Sequence, residues 1–351
     1  MLALSIVEGR PEMPNIQTVN EGWSPADWVH QHVAATAYAL RPKRLAGLPG
    51  VLRAVAAFHL TPADLRVRVP DPRRTLAALD GFAGICPDLA PDTLMAGYRS
   101  GLYQASHAGP YKWWSPTRRM VLFLDELHLE KNLRRKLRQG RFRVTFDSAF
   151  EAVVQHCAGP RRQRRVHLTW LLPPVIEAYA ALHRLGHAHS VEVWDEEGRL
   201  AGGLFGVSWG RLFTTESQFA LDRDASKIAF AILNRHLQAW GYVLNDVHNW
   251  SAHLERLGCA LIPRDDFLSI VEAFGRDPSP QTDWTPVDRL CAGDWEPAAE
   301  AGWTRHDVVS AVAGAPAEAR DEARFAADAN ADANAGADDA AHRDGTMPSA
   351  A

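Results

Sequence analysis

At 351 residues, with 46% apolar and 23% charged side chains and a formal charge of −4, the chain has the make-up of a folded protein of about two domains, which excludes a wholly disordered chain. Its four cysteines, Cys86, Cys157, Cys259 and Cys291, form no CxxC pair, which argues against a disulfide framework or a zinc ribbon and for a reducing compartment. No run reaches the ~18 apolar residues of a membrane span, and the opening MLALSIVEGRPEMP lacks a basic leader, so the expectation is a cytoplasmic protein without a signal peptide.

Taken in chain order, residues 1–90 carry no chemical motif. Trp23 and Trp28 flank Ser24-Pro25, a pair that opens a helix, and Val51 to Phe58 is Ala-rich and helical before Pro62, Pro70 and Pro72 punctuate the chain. DTLMAGYRSGLY reads as a helix ending at Gly101. Trp113 and Trp114 then stand beside Ser115-Pro116 and Arg118-Arg119. They form either a stacking wall for something planar and anionic or a core corner with a solvated arginine edge. Neighbours in an extended segment point opposite ways, so at most one of them faces a site.

HLEKNLRRKLRQG places Leu129, Leu133 and Leu137 on one helical stripe, with the cations fanning outward and Gly140 as the stop. FRVTF alternates as a strand, and DSAFEAVVQHCA follows as a helix with Asp147 as its N-cap. PPVIEAYAALHRLG is a helix between proline and Gly186. HSVEVW, RLAGGLFGVSWG and RLFTTESQF read as three strands, the first two forming a hairpin across DEEG. A helix from Asp224 to Gly241, the short strand YVLND, and helices in WSAHLERLG and PRDDFLSIVEAFG complete the order, which points to an α+β sheet with helices on its faces. Trp284, Trp295 and Trp303 indicate a C-terminal stretch packed on the body.

Charge is unevenly spread. Residues 316–351 hold eight acidic residues against three basic ones in a low-complexity Ala/Asp/Asn tail, which is expected to be disordered and leaves the rest near +1. Lys131 to Arg143 holds seven basic residues and no acidic one, and Arg161, Arg162, Arg164 and Arg165 follow. Such a local field suits a polyanion.

Seven blocks, met in order, carry a resemblance. They are Trp113–Pro116, Phe142–Phe150, Ala188–Ser190 with Glu192 and Trp194, Gly202–Gly206, Glu216-Ser217 with Phe219, Ala225–Lys227 and Leu257–Phe267. Over about residues 91–274 the chain resembles the leucyl/phenylalanyl-tRNA–protein transferases. The resemblance implies a small N-terminal α/β lobe followed by a lobe like the GCN5-related N-acetyltransferases (GNAT). It also implies transfer of Leu or Phe from charged tRNA to the N-terminal Arg or Lys of a protein, which marks that protein for degradation, with no metal and no coenzyme. The implied division is 1–90 without assigned role, 91–160 a small basic lobe facing tRNA, 161–275 the GNAT-like catalytic lobe, 276–315 a packed extension and 316–351 the acidic tail. A monomer is expected. The residues agree on the coenzyme: after the third strand, ALDRDASK has no glycine to cradle a pyrophosphate and two aspartates to repel one.

Carried over by motif, Glu216 and Asp246 are the acids that seat the acceptor and serve catalysis. Trp113, Trp114, Trp170, Leu204, Phe213, Thr215, Gln218 and Ala220 are expected to bind the aminoacyl end, and Lys131, Arg134, Arg135, Arg138 and Arg141 the tRNA phosphates. Four positions depart from the family. Its Asp-x-Gln is Asp246-Val247-His248, and His248, with an ordinary pKa near 6.5, is expected to take the proton from the attacking amine. Its Gly-Ile-Phe-Pro-Trp reads Gly101 to Ala105, which loses a pocket tryptophan; a pocket methionine is Gln218; and a small polar residue after Trp170 is Leu171 or Leu172. A diverged relative that aminoacylates a small-molecule amine, and a catalytically weak tRNA-binding module, are the alternatives. His183, His187 and His189 are close in sequence but sit on different elements, so packing is expected of them rather than metal binding.

Overall fold

The computed structural model describes residues 23–63, 66–160, 168–291 and 302–314. The acidic tail, Trp295 and the arginines at 161, 162, 164 and 165 lie outside the described residues. The chain opens with α1 (Pro25–Ala39), α2 (Pro42–Leu45) and α3 (Leu48–Leu60). Ser24 caps α1 through a full capping box with Asp27, as the Ser-Pro pair predicts. Strand β1 (Phe82–Ile85), helix α4 (Pro91–Tyr98), and strands β2 (Tyr103–Gln104), β3 (Lys112–Trp114) and β4 (Arg118–Phe123) follow, then α5 (Lys131–Gln139) and β5 (Arg143–Phe146). Next come α6 (Phe150–Ala158), α7 (Pro173–Arg184), β6 (Ala188–Trp194), β7 (Leu200–Trp209), β8 (Leu212–Ala220), α8 (Ala225–Ala239) and β9 (Leu244–Asp246). The described chain closes with α9 (Ala252–Glu255), β10 (Ala260–Pro263), α10 (Arg264–Phe274), α11 (Asp288–Cys291) and α12 (Arg305–Gly314).

Two sheets result, and the class is α+β. A small antiparallel sheet has the order β1-β3-β2, and a seven-stranded sheet has the order β10-β4-β9-β8-β7-β6-β5. Its pairs are antiparallel except β8 with β9, which α8 connects. Strands β4 and β5, both from residues 91–160, are thus part of the same sheet as the later strands. One face of that sheet packs on α6, α7, α10 and α12 around Phe205, Trp209, Leu182 and Phe267. The other packs on α5 and α8 around Leu133, Leu137, Phe213 and Phe230, and Trp284 from the C-terminal stretch closes it.

Several local expectations need correction. Asp147 is not the N-cap of α6: it lies in the left-handed region at φ 54, Ala149 is the cap residue, and the Asp147 carboxylate accepts from the Ser190 N–H at 2.8 Å instead. Asp224 precedes α8 but makes no capping bond there; it pairs with Lys136 at 2.6 Å and Lys227 at 3.3 Å. Ion pairing with two lysines outweighs an N–H bond at that carboxylate. The helix expected to run to Gly258 is the single turn α9, closed by Gly258 at φ 99.

Candidate active site

Glu216 owes its position to a β-bulge. Phe205 pairs with Ser217 and Gly206 with Thr215, so Glu216 opposes no residue of β7. Such an insertion breaks the period of two and re-aims a side chain. It also brings backbone close: Gly206 has no room for a Cβ against the Thr214 carbonyl. The bulge turns Glu216 toward α4 and α7, where the Tyr98 hydroxyl donates to its Oε1 at 2.6 Å and the Tyr179 hydroxyl lies 2.9 Å from that of Tyr98.

Asp246 ends β9, directly opposite Val121 of β4. Arg119, two residues back along β4, shares its face and meets it diagonally. The guanidinium binds Asp246 with two bonds, Nε to Oδ1 at 2.8 Å and Nη2 to Oδ2 at 2.6 Å. It also lies 4.7 Å from the ring centroids of both Tyr103 and Phe267. Buried charges persist only when paired in this way.

His248 sits between the two acids. Its backbone is left-handed at φ 64, a conformation that costs roughly 1–2 kcal/mol for a non-glycine residue. Its N–H donates to Asp246 Oδ1 at 2.9 Å, and its ring stacks on Tyr103 at 3.9 Å and 9°. The turn points Nε2 at Glu216 Oε1, 3.7 Å away, and at Asp246 Oδ2, 3.8 Å away, and no hydrogen bond satisfies that nitrogen. Glu216, Asp246 and His248 expose 1%, 0% and 1% of their surface, so the cluster is covered by its own tyrosines.

Burial sets the charges. It pushes Glu216 up to about 8, against the Tyr98 bond and with the help of the Asp246 charge. Burial also acts to raise Asp246, but the Arg119 charge and bonds outweigh it and hold the carboxyl below the usual range. Burial takes His248 down to about 3, against the pull of Asp246. At neutral pH the site therefore holds an ionised Asp246, a neutral His248 and a Glu216 poised to exchange a proton. The expectation of His248 as an ordinary pKa-6.5 base does not fit this burial.

The other expected site residues separate. Trp170, 6% exposed, lies edge-on to Tyr179 at 5.9 Å and so adjoins the cluster. Trp113 and Trp114 do alternate, but both are core: they are 0% and 6% exposed, and their indole N–H groups donate to the carbonyls of Arg68 and Ala105. Neither offers a free face for stacking. Leu204, Phe213 and Gln218 are buried together on the α8 side of the bulge, and Gln218 Oε1 has no partner. Thr215 there donates to Asn245 Oδ1 at 3.0 Å, and Asn245 in turn donates to Asn234 Oδ1 at 2.8 Å, so a polar chain runs through this apolar zone. Ala220, at the end of β8, is exposed.

On α5, Lys131, Arg135 and Arg138 are exposed, as is Arg141 just beyond it, whereas Arg134 donates to the Leu129 carbonyl at 3.1 Å. His189 bonds Asp147 at 2.7 Å and stacks on Trp284, and His183 faces the Ala188 carbonyl at 2.8 Å, so these histidines brace the fold. Among the described residues no group of three or more His, Cys, Asp or Glu could hold a metal, and no helix is long and apolar enough to cross a membrane. Sequence reasoning missed Arg119, Tyr98, Tyr103 and Tyr179. Arg119 alone left a signal: it is an arginine in phase with Val121 and Phe123, on a strand whose only other charged residue is Arg118 at its start.

Comparison with known proteins bears on this cluster. The sequence model of the family described as leucyl/phenylalanyl-tRNA protein transferase matches residues 121–272, which include Glu216, Asp246 and His248. A leucyl/phenylalanyl-tRNA–protein transferase of Stutzerimonas stutzeri is 43% identical over 217 residues, covering 62% of this chain and 89% of the relative. Its counterpart in Pseudomonas syringae pv. syringae is 42% identical over 217 residues, covering 62% and 93%. That of Chromobacterium violaceum is 41% identical over 216 residues, covering 61% and 91%.

Proposed function

The chain belongs to the leucyl/phenylalanyl-tRNA–protein transferase family, and from that premise we propose that its buried cluster catalyses transfer of an amino acid from charged tRNA to the N-terminal amine of an Arg- or Lys-initiated protein. It is an aminoacyltransferase. One observation carries the assignment of the site: two carboxylates from different strands converge on one unsatisfied imidazole nitrogen, at 3.7 and 3.8 Å.

The reaction is aminolysis of an ester. The amine nitrogen bonds to the carbonyl carbon and loses a proton, and the tRNA 3′-oxygen leaves and gains one. The ester is already activated, so positioning and proton handling are what the protein adds. Glu216 takes the amine proton, because its pKa of about 8 lies close to that of an α-amine, about 7.7–8.0. Asp246, locked by Arg119, supplies the standing negative charge that holds a cationic acceptor. Neutral His248 orients the nitrogen by hydrogen bonding through Nε2. Trp170 borders the place of the aminoacyl group from the α7 side, Leu204, Phe213, Thr215 and Gln218 back it from the α8 side of the bulge with Ala220 at the end of the strand, and Lys131, Arg134, Arg135, Arg138 and Arg141 receive tRNA phosphates. Residues 91–160 are the tRNA-facing part, 161–275 the catalytic part and 276–315 the packed extension. The antiparallel β6-β7-β8 followed by a parallel β9 reached through α8 supports a GNAT-like catalytic part. The protein acts as a monomer in the cytoplasm.

A small-molecule acceptor is the second reading. The observation that favours it is the burial of all three site residues to 1% exposure or less, since a covered site admits a small amine more easily than a protein chain end. Total tRNA charged with labelled amino acids, incubated with an Arg-initiated peptide, tests both. Label entering the peptide supports the first reading. Binding specific to one charged tRNA without peptide labelling supports the second, and binding indifferent to charging removes both.

A further inference from the structure

Helix α1 lies outside the residues 121–272 that match the family, yet it reaches the wall of the proposed site. Its buried face is Gln31, Ala34, Ala35 and Tyr38, and the small alanines let the helix backbone sit close. The Gln31 side chain, on a residue 1% exposed, bonds outside its own helix. Its Nε2 donates to the His107 carbonyl and to the Thr169 carbonyl, each at 2.7 Å, and its Oε1 accepts from the Thr169 N–H at 3.4 Å. One carboxamide thus joins the His107 turn to the Thr169 segment.

The segment it grips is tied internally by two hydrogen bonds. Thr169 Oγ1 accepts from the Leu171 N–H at 3.1 Å, and the Trp170 carbonyl accepts from the Leu172 N–H at 2.9 Å, immediately before α7 begins at Pro173. Trp170 meets Tyr179 of α7, and Tyr179 meets Tyr98 and, through it, Glu216. On the other side, Arg44 of α2 donates to the Tyr38 hydroxyl at 2.6 Å and lies within electrostatic reach of Tyr103, the ring stacked on His248.

We infer that Gln31 is a positioning residue for the transfer reaction: by clamping Thr169–Trp170 to the His107 turn, it fixes Tyr179 and thereby the direction in which Glu216 presents its carboxylate. This rests on the proposed function. It makes α1 a working part of the site rather than an appendage. Burying an apolar side chain there would serve packing as well, but would take from both carbonyls the donor that Gln31 supplies.

The test compares Gln31→Leu and Gln31→Glu with the wild-type full chain. Leucine keeps the size and loses every bond; glutamate keeps the acceptor but, when ionised, cannot donate to either carbonyl. Two readouts are taken on the folded fraction of each. In hydrogen exchange on the protein alone, the amides of residues 169–172 should exchange faster in both variants. In steady-state transfer, kcat should fall at least about tenfold while KM for charged tRNA is unchanged, because a misplaced group costs rate and not phosphate binding. Unchanged exchange at 169–172, or unchanged kcat per folded molecule, overturns the assignment. So does failure of both variants to fold, which would make Gln31 a residue of the fold alone. The exchange result stands even if the wild type transfers nothing, an outcome that would fault the proposed function instead.

Discussion

The chemistry of Glu216 follows from one inserted residue. A regular strand would alternate past it, but the bulge turns it into a tyrosine-lined, water-poor place where its charged form is disfavoured. If ionised Glu216 takes the proton, kcat/KM rises with pH through about 8, and Glu216→Gln lowers the rate by about 10²–10⁴-fold and leaves a shallower rise, the part due to the acceptor amine's own ionisation. Stability shows the opposite sign. Between the ordinary carboxyl pKa and about 8 the folded chain holds the proton more tightly than the unfolded one, so Glu216 costs stability as pH rises. Glu216→Gln should therefore gain on the wild type through that window, by at most about 1.4 kcal/mol per pH unit in urea melts, and level off above it. Arg119→Met leaves the Asp246 charge buried and unpaired, and should cost about 3–5 kcal/mol in urea melts; adding Asp246→Asn should recover a large part of it. Glu216, Asp246 and His248 were legible in the sequence through their motifs, but their charge states were not. Those depend on burial under Tyr98, Tyr103 and Tyr179, which arrive from distant parts of the chain with no periodicity to announce them, and for Asp246 on the charge of Arg119.

Among the elements, α5 matches its sequence pattern most closely. The leucine stripe is buried and Gly140 ends the helix at φ 61. Of the cations, Lys136 is taken by Asp224 and Arg134 by a carbonyl, while Arg135 and Arg138 stand exposed. Arg135→Ala and Arg138→Ala should each weaken tRNA binding and lower the slope of log affinity against log salt by about 1, with kcat at saturating tRNA unchanged; filter binding across a salt series checks this. The long strands β7 and β8, set off by turn residues, and the helices flanked by proline and glycine were readable. The sheet β1-β3-β2 was not, because strands of two to four residues contain too little alternation to count. The misread cap at Asp147 has a similar cause. An Asp before a helix looks the same in sequence whether it bonds the helix N–H groups or those of a strand forty residues on.

For the molecule as a whole, the C-terminal stretch is bound through aromatic packing. Trp284 stacks on His189 at 3.8 Å and meets Trp240, Phe213 and Phe146, so it shuts the α8 face of the core. Trp284→Ala should cost about 3–5 kcal/mol in urea denaturation, with the midpoint falling and the slope unchanged. Charge and motif order set up the proposed division into a tRNA-facing part, residues 91–160, and a catalytic part, residues 161–275. That the two share a sheet was not legible, since strand pairing between residues about 130 positions apart leaves no local trace. The sharing has a mechanical consequence. β4 is bonded along one edge to β9, which carries Asp246, and along the other to β10. Hinge-like rocking between the halves would have to shear that ladder and pull Arg119 off Asp246 at every cycle. With the parts welded in this way, reactants bound for the proposed site would have to enter past the rings and loops above the carboxylates rather than through a hinge in the sheet.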